Sequence, residues 1–285
     1  MTDNYIVIEG SGKDSSAGAV PEQRQPKEDP NDLHSKQLLR FIDAWSEGEI
    51  GGLVDGGRSI FINNVPLMNA SYEWNFQGIT YGTRNGTHNQ LPMGANTGEP
   101  TFDGVENEQN VSAVVTEESG GIVRAVTDPD VDDVRFTLTI PNLMSINSSN
   151  GDRLRTTVSI AFDVQPDGGG WITPSDGIVT ITGKCTSPYS FSVSMKNIKA
   201  ITGDNVGPWY IRVRRITPDS ESTEVVNEVQ WNSYTEIKNV KLIYPYVAYI
   251  GVQVDAQYFG NRSLTRQYEL YGMLCQVPNN RYYTP

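Results

Sequence analysis

The chain has 285 residues, room for about two domains or one domain with a large insertion. Its Val, Ile, Thr, Tyr and Ser, punctuated by 27 Gly and 16 Pro, favour short strands and many turns. A formal charge of −12 argues against nucleic acid and anionic membranes as partners, since both are bound by neutralising phosphate with Lys and Arg; no stable nucleic-acid binding is expected.

Two cysteines, Cys185 and Cys275, are too few for a disulfide scaffold and read as buried thiols. The opening MTDNYIVIEGSGK lacks the basic n-region and long apolar run of a secretion signal, so none is expected. Residues 1–34, rich in Gly, Ser, Pro and charge, bury too little apolar surface to offset their ordering entropy and read as a flexible arm. In SKQLLRFIDAWSEG, Ser35 stands where a helix cap would, Leu38, Leu39, Ile42 and Trp45 recur at helical spacing, and Gly48 can supply a left-handed stop; an amphipathic helix is expected. SIFINNVPL reads as a hairpin turning on Asn63-Asn64. From Gly78 to about Asn110 the composition is that of a long loop, and a contact surface is plausible there.

Beyond it the pattern is almost wholly β. VRFTLTI, TTVSIAFDV, GIVTITG, YSFSVSM, WYIRVRRI, VAYIGVQVDA and YELYGMLCQV alternate with period two or form β-branched runs between turn signals, as in a sandwich or barrel. In TTVSIAFDV, alternation puts Val158, Ile160, Phe162 and Val164 on a buried face and Ser159, Ala161 and Asp163 on the other. The fold class is therefore mainly β with one helix, an α+β chain.

The search for chemistry returns failures at named positions. IVIEGSGKDS imitates a phosphate-cradling loop, but Val7 stands where its first glycine belongs and Asp14 where a hydroxyl should meet magnesium. The acidic run DPDVDD (Asp128, Asp130, Asp132, Asp133) lacks the glycine and distal glutamate of a calcium loop, and His34 and His88 are too far from either cysteine in sequence for a zinc cluster. No nucleophile elbow occurs. The chain reads as a non-enzyme with no metal or cofactor. WYIRVRRITPD is the one local cationic cluster: alternation places Trp209, Ile211 and Val213 on one face and Arg212 and Arg214 on the other, with Arg215 at the strand end. The simplest reading is arginines paired with nearby acids, presenting fixed donors at a sheet edge or subunit interface; a polyanion site is the alternative.

SKQLLRFIDAWSEGEIGGLVDG, GDRLRTTVSIAFDVQPDGGGWI, IRVRRITPDS with WNSYTEI, and YPYVAYIGVQVDAQYFGNRS followed by RQYELYGMLCQVPNN resemble, in order and spacing, the N-terminal portion of the lambda-type tail-tip attachment protein J family, the tail hubs of long-tailed bacterial viruses (siphophages). The resemblance runs from about Ser35 and is weakest in the arm and from Asn69 to about Val131. It implies a virion structural protein, assembled in the bacterial cytoplasm, that forms a homotrimeric hub closing the distal tail tube. The partners implied are further copies of itself, the distal tail and tail-tip ring proteins, the C-terminus of the tape-measure protein and a downstream host-binding fibre region, with the host receptor reached only indirectly. Family members continue well beyond the segment present, so the chain is expected to represent part of a longer protein.

The family also implies a hub β-domain carrying an inserted β-sandwich: a flexible N-terminal arm at 1–34, the helix, hairpin and long loop at 35–110, the insertion at 111–233 and returning hub strands at 234–285. Structural or interface candidates within the resembling segments are Leu38, Ile42, Trp45, Gly48, Asp55, Gly56, Arg212, Arg214, Arg215, Asp219, Trp231, Tyr234 and Asp255. Two rival readings are a receptor- or carbohydrate-binding β-sandwich, suggested by Trp74, Tyr81 and Trp171, and a cell-wall hydrolase, for which no motif is found.

Overall fold

The computed structural model describes residues 24–102, 104–259 and 264–273. Where a helix was expected, Leu38–Glu47 forms a strand, β1. Its apolar residues fit two periods: Leu38, Ile42 and Trp45 suit a helix, but Phe41 and Trp45 also suit a strand. The second period prevails because the returning strand Val247–Asp255 offers a continuous ladder, from Leu38 opposite Asp255 to Glu47 opposite Val247. Ser35, read as a helix cap, instead accepts the backbone N–H of Ser190 (2.7 Å). Gly48 does adopt a positive φ of 97°, but in a strand-to-strand turn.

After β2 (Ile50–Leu53) and a short 3-10 turn, β3 (Ile60–Ile62) and β4 (Val65–Pro66) make the expected hairpin. Asn63 and Asn64 both have positive φ (52° and 66°), the signature of a type I′ turn. Asn63 Oδ1 also accepts from Thr265 N, whereas the Asn64 side chain makes no hydrogen bond among the described residues. Asn64→Gly should therefore raise stability by about 0.5 kcal/mol and Asn64→Val lower it by about 1 kcal/mol, both read from denaturant midpoints.

The long-loop reading from Gly78 to Asn110 is too wide at both ends. Ile79–Asn85 forms β5, which pairs with the free side of Val247–Asp255, and Val105–Val114 forms β6, leaving an excursion of residues 86–104.

From β6 to residue 238 the chain builds a β-sandwich. Its strands are β7 (Ile122–Val126), β8 (Asp133–Ile140), β9 (Met144–Ile146), β10 (Arg153–Leu154), β11 (Thr156–Pro166), β12 (Ile178–Gly183), β13 (Tyr189–Met195), β14 (Trp209–Arg215), β15 (Val225–Val226) and β16 (Gln230–Lys238). One sheet runs β12-β11-β14-β7 and the other β13-β8-β16-β6, both antiparallel, with a small sheet β10-β9-β15 beside them. Phe136, Leu138, Val158, Ile160, Phe162, Trp209, Ile211, Val213 and Trp231 fill the space between them. Val158, Ile160, Phe162, Trp209, Ile211 and Val213 of this set are the inward residues that alternation identifies in TTVSIAFDV and WYIRVRRI.

The chain then returns through β17 (Val247–Asp255), β18 (Arg266–Tyr268) and β19 (Leu270–Met273). β17 lies between β1 and β5, β18 joins β3-β4, and β19 pairs with β2. Ile60, Ile62, Leu67, Ile250, Val252 and Val254 form a second, smaller core, with Phe41 and Trp45 against it.

Residues 24–34, the described part of the expected flexible arm, lie along the sandwich. Arg24 pairs with Asp152 (2.7 Å), Asp29 N and Arg153 N exchange backbone bonds with the opposite segment, and Asp32 accepts from Lys184 N. Lys184, almost wholly buried, gives its ammonium to Glu28 (2.9 Å) and Asn31 (3.0 Å). Cys185 is buried next to it, and burial pushes its thiol pKa up. Cys275 lies outside the described residues, as do residues 1–23 and the phosphate-loop look-alike within them.

Candidate functional site

The cationic cluster is built on the outer face of β14. Alternation sends Arg212 and Arg214 outward, where both reach one carboxylate across the ladder from β11, Asp163 directly opposite Arg212. Asp163 Oδ2 accepts from Arg212 Nε (2.9 Å) and Arg214 Nε (2.8 Å), and Oδ1 accepts from Thr173 Oγ1 (2.6 Å). Asp163 is fully buried although it lies on the polar face of its strand. Burial alone would raise its pKa, but the bonds from Thr173, Arg214 and Arg212 outweigh that and hold the carboxyl below its usual range. The Trp171 ring lies 4.2 Å from the Arg212 guanidinium carbon. Gly121, at φ 110°, passes so close to both arginine stems that a Cβ there would sit 2.9 Å from Arg212 and Arg214 carbons.

Arg215 does not share this face. It is buried at the strand end and organises the following loop, donating to the carbonyls of Thr217 (2.7 Å) and Asn227 (2.8 Å) and pairing with Asp219 (3.2 Å). Asp219 in turn accepts from Glu117 N (2.8 Å). Trp231 and Tyr234 serve the core: the Trp231 Nε1–H donates to Ser233 O (2.8 Å), and the Tyr234 hydroxyl donates to Ala125 O (3.2 Å).

The remaining candidates lie around the smaller core and are not brought together. Asp55 accepts from Arg58 (2.7 Å) and the Tyr72 hydroxyl (2.8 Å), beside Gly56 at φ 51°. Asp255 caps a short turn by accepting from Gln257 N. The strand geometry of β1 separates the residues expected on one helical face: Trp45 packs against Tyr268 at 5.3 Å, while Leu38 (49% exposed) and Ile42 (39%) face outward. Ile42 borders a half-open cavity of about 210 Å³ with Met93, Phe102, Val240, Leu242 and Tyr249, whose buried hydroxyl has no partner among the described residues.

Sequence reasoning missed two polar clusters, of which only the first is buried. Arg84 on β5 grips Glu99 with both terminal nitrogens (2.7 and 2.8 Å), and Asp43 on β1 accepts from Arg266 (2.6 Å) and Tyr268 (2.5 Å). Neither has a local pattern, because the partners are 15, 223 and 225 residues apart. The carboxylates of DPDVDD each meet lysine: Asp128 and Asp130 face Lys238, Asp132 faces Lys199 and Asp133 faces Lys196. Among the described residues no helix is long and apolar enough to cross a membrane.

Residues 105–240, the span of β6 to β16, match the family model of the tip attachment protein J FNIII-A domain. The chain is 31% identical over 278 residues to a tip attachment protein J of Escherichia phage SECphi4, covering 96% of this chain and 23% of that protein. It is 26% identical over 265 residues to one of Escherichia phage SECphi27, covering 93% and 21%. The chain thus spans less than a quarter of the length of these curated relatives, in their N-terminal part.

Among solved structures, a carbohydrate-binding module of a family 9 glycoside hydrolase from Ruminococcus flavefaciens FD-1 aligns at 12% identity and TM-score 0.28, covering 46% of this chain and 96% of that one. The stem and receptor-binding domain of the bacteriophage PM2 spike protein P1 aligns at 10% and 0.25, covering 80% and 99%. Likenesses this weak carry no argument. Residues 105–240 are thus similar to the FNIII-A domain of tip attachment protein J, and the chain as a whole is similar to the N-terminal part of those proteins.

Proposed function

We propose that this chain is a structural, non-enzymatic component of a bacteriophage tail tip, forming the hub end of a longer host-recognition apparatus. The observation that carries this is the alignment of 93–96% of this chain with two phage tip attachment proteins J, which extends well beyond the matched FNIII-A domain on both sides. In this reading three copies close the distal tail tube. They meet the distal tail and tail-tip ring proteins and the tape-measure C-terminus, and they anchor a fibre region that touches the receptor. The sandwich, placed at 111–233 from the resemblance and running from β6 to β16 in the fold, is an insertion; the strands before Val105 and after Lys238 make the hub, and residues 1–34 precede it.

What supports an assembly role physically is apolar surface left open outside the sandwich. Leu38, Ile42, Val240, Leu242, Ile243 and Tyr246 are each at least 39% exposed, and among the described residues one edge of β1 carries no partner strand. A closed ring of copies buries such edges and patches, which the described residues leave open. No specific observation favours the carbohydrate-binding reading: Tyr81 packs against the smaller core and Trp171 is committed to Arg212.

Gold-labelled antibody against the sandwich, applied to intact particles, is expected to mark the tip of the tail distal to the head. Label along the tail shaft or on the head would overturn the reading.

A further inference from the structure

The Arg212–Asp163–Arg214 cluster is over-built for an ion pair that serves only the fold. Two guanidiniums share one oxygen of one buried carboxylate, so among these three groups one positive charge is left uncompensated in a chain of formal charge −12. The arrangement is also fixed: Asp163 is pinned by Thr173, Arg212 lies on Trp171, and the stems pass beneath Gly121, where any side chain would collide. Both arginines remain partly exposed (21% and 33%), and no group among the described residues meets the terminal nitrogens of Arg214. A guanidinium held in place by its Nε presents its outer pair of N–H groups as a planar fork, the geometry that takes a carboxylate with two parallel hydrogen bonds.

The surroundings suit a protein partner. Val123 stands opposite Arg212 and Ile178 stands in the row of Ala161 and Arg214, and these two aliphatics are 41% and 54% exposed on the same outer face. Arginine with tryptophan and exposed aliphatics is the composition of an interface centre.

We propose that the outer face of the β12-β11-β14-β7 sheet, centred on Arg212 and Arg214, is a docking surface for an acidic peptide segment of a partner protein, whose side-chain carboxylates bind the outer fork of Arg214 beside the Asp163-bound Arg212. Charge complementarity selects that occupant, because the bulk of this chain repels acids while this spot holds fixed guanidinium donors with one uncompensated positive charge.

A fluorescently labelled oligoglutamate peptide, titrated into the full chain at low salt and followed by anisotropy, tests the surface. Binding should weaken as salt rises, and Arg214→Gln should weaken it about tenfold, the cost of a lost charge-assisted contact. Val123→Glu removes neither arginine and should weaken binding similarly, by repulsion of the peptide and by pairing with Arg212 opposite it, so it keeps the test open if the arginine variant unfolds.

No binding by the unaltered chain, or equal binding by Val123→Glu, would overturn the proposal. So would displacement of the peptide by equimolar inorganic phosphate or a preference for heparin, either of which would mark a phosphate or sulfate site. Self-association of the chain that is lost in Val123→Glu would assign the face to a second copy and likewise overturn it.

Discussion

Replacing Trp231 with alanine is expected to cost about 3–5 kcal/mol of stability, enough to leave the sandwich largely unfolded at moderate denaturant concentration. Trp231 is fully buried, with Phe136 at 5.9 Å and Tyr234 at 6.1 Å from its ring, and the Arg124 guanidinium lies 5.9 Å away. Its indole N–H bonds Ser233 O beside the irregularity where β16 slips against both neighbours. The substitution therefore opens a large cavity between the sheets and also removes the donor that holds this bulge. Trp74, 47% exposed, provides the contrast: Trp74→Ala should cost under about 1 kcal/mol. Urea unfolding followed by circular dichroism checks both, and equal losses would show that the core is not centred on Trp231.

Arg84→Ala is expected to cost a further about 3–5 kcal/mol in its own right, because it strands a buried carboxylate. The side chains of Arg84 and Glu99 are only 7% and 11% exposed. Arg84 also donates to the carbonyls of Leu91 and Pro92 (2.6 Å each), and Glu99 accepts from the backbone N–H of Gly94 and Asn96, so the pair fastens the excursion 86–104 to β5.

The same pair predicts a pH dependence. The bonds from Arg84, against the opposing effect of burial and with help from Asn96, pull Glu99 from 4.5 down to about 2. A carboxylate whose folded pKa is depressed stabilises the fold above its unfolded pKa, and that contribution is lost as pH falls through the folded value. Between about pH 5 and pH 2 this group should therefore withdraw about 3 kcal/mol. Asp43, Asp133 and Asp163 are lowered too, so the informative quantity is a difference. Stability of the unaltered chain minus that of Glu99→Gln should shrink steadily over this range, and a constant difference would contradict the assignment.

The sandwich was legible where one face of a strand is buried, since burial imposes the alternation seen in TTVSIAFDV and WYIRVRRI. β16 was not, because the slip between Trp231 and Ser233 breaks the alternation that would have revealed it. β6 was hidden for the opposite reason: its first six residues, VENEQN, are exposed on both faces and hold a single apolar residue, Val105, too few to show a period. β1 was misread as a helix because local spacing cannot report that β17, two hundred residues away, offers it a ladder.

The same distinction holds at the arginine cluster. Alternation placed Arg212 and Arg214 on the outer face correctly and Asp163 on the face away from the core. It could not show that Trp171, Thr173 and two guanidiniums would close over that carboxylate. Arg215 was grouped with its neighbours by charge, although its parity puts it on the inner side, where it serves the loop that follows.

The central claim is that this chain belongs to a tail-tip hub. The most direct measurement is a reconstruction of the intact particle at a resolution that traces the chain. Three copies around the tail axis at the distal end, with the sandwiches projecting from a ring built on β1, β5 and β17, is the predicted result. A chain found away from the tail tip, or absent from the particle, would contradict it.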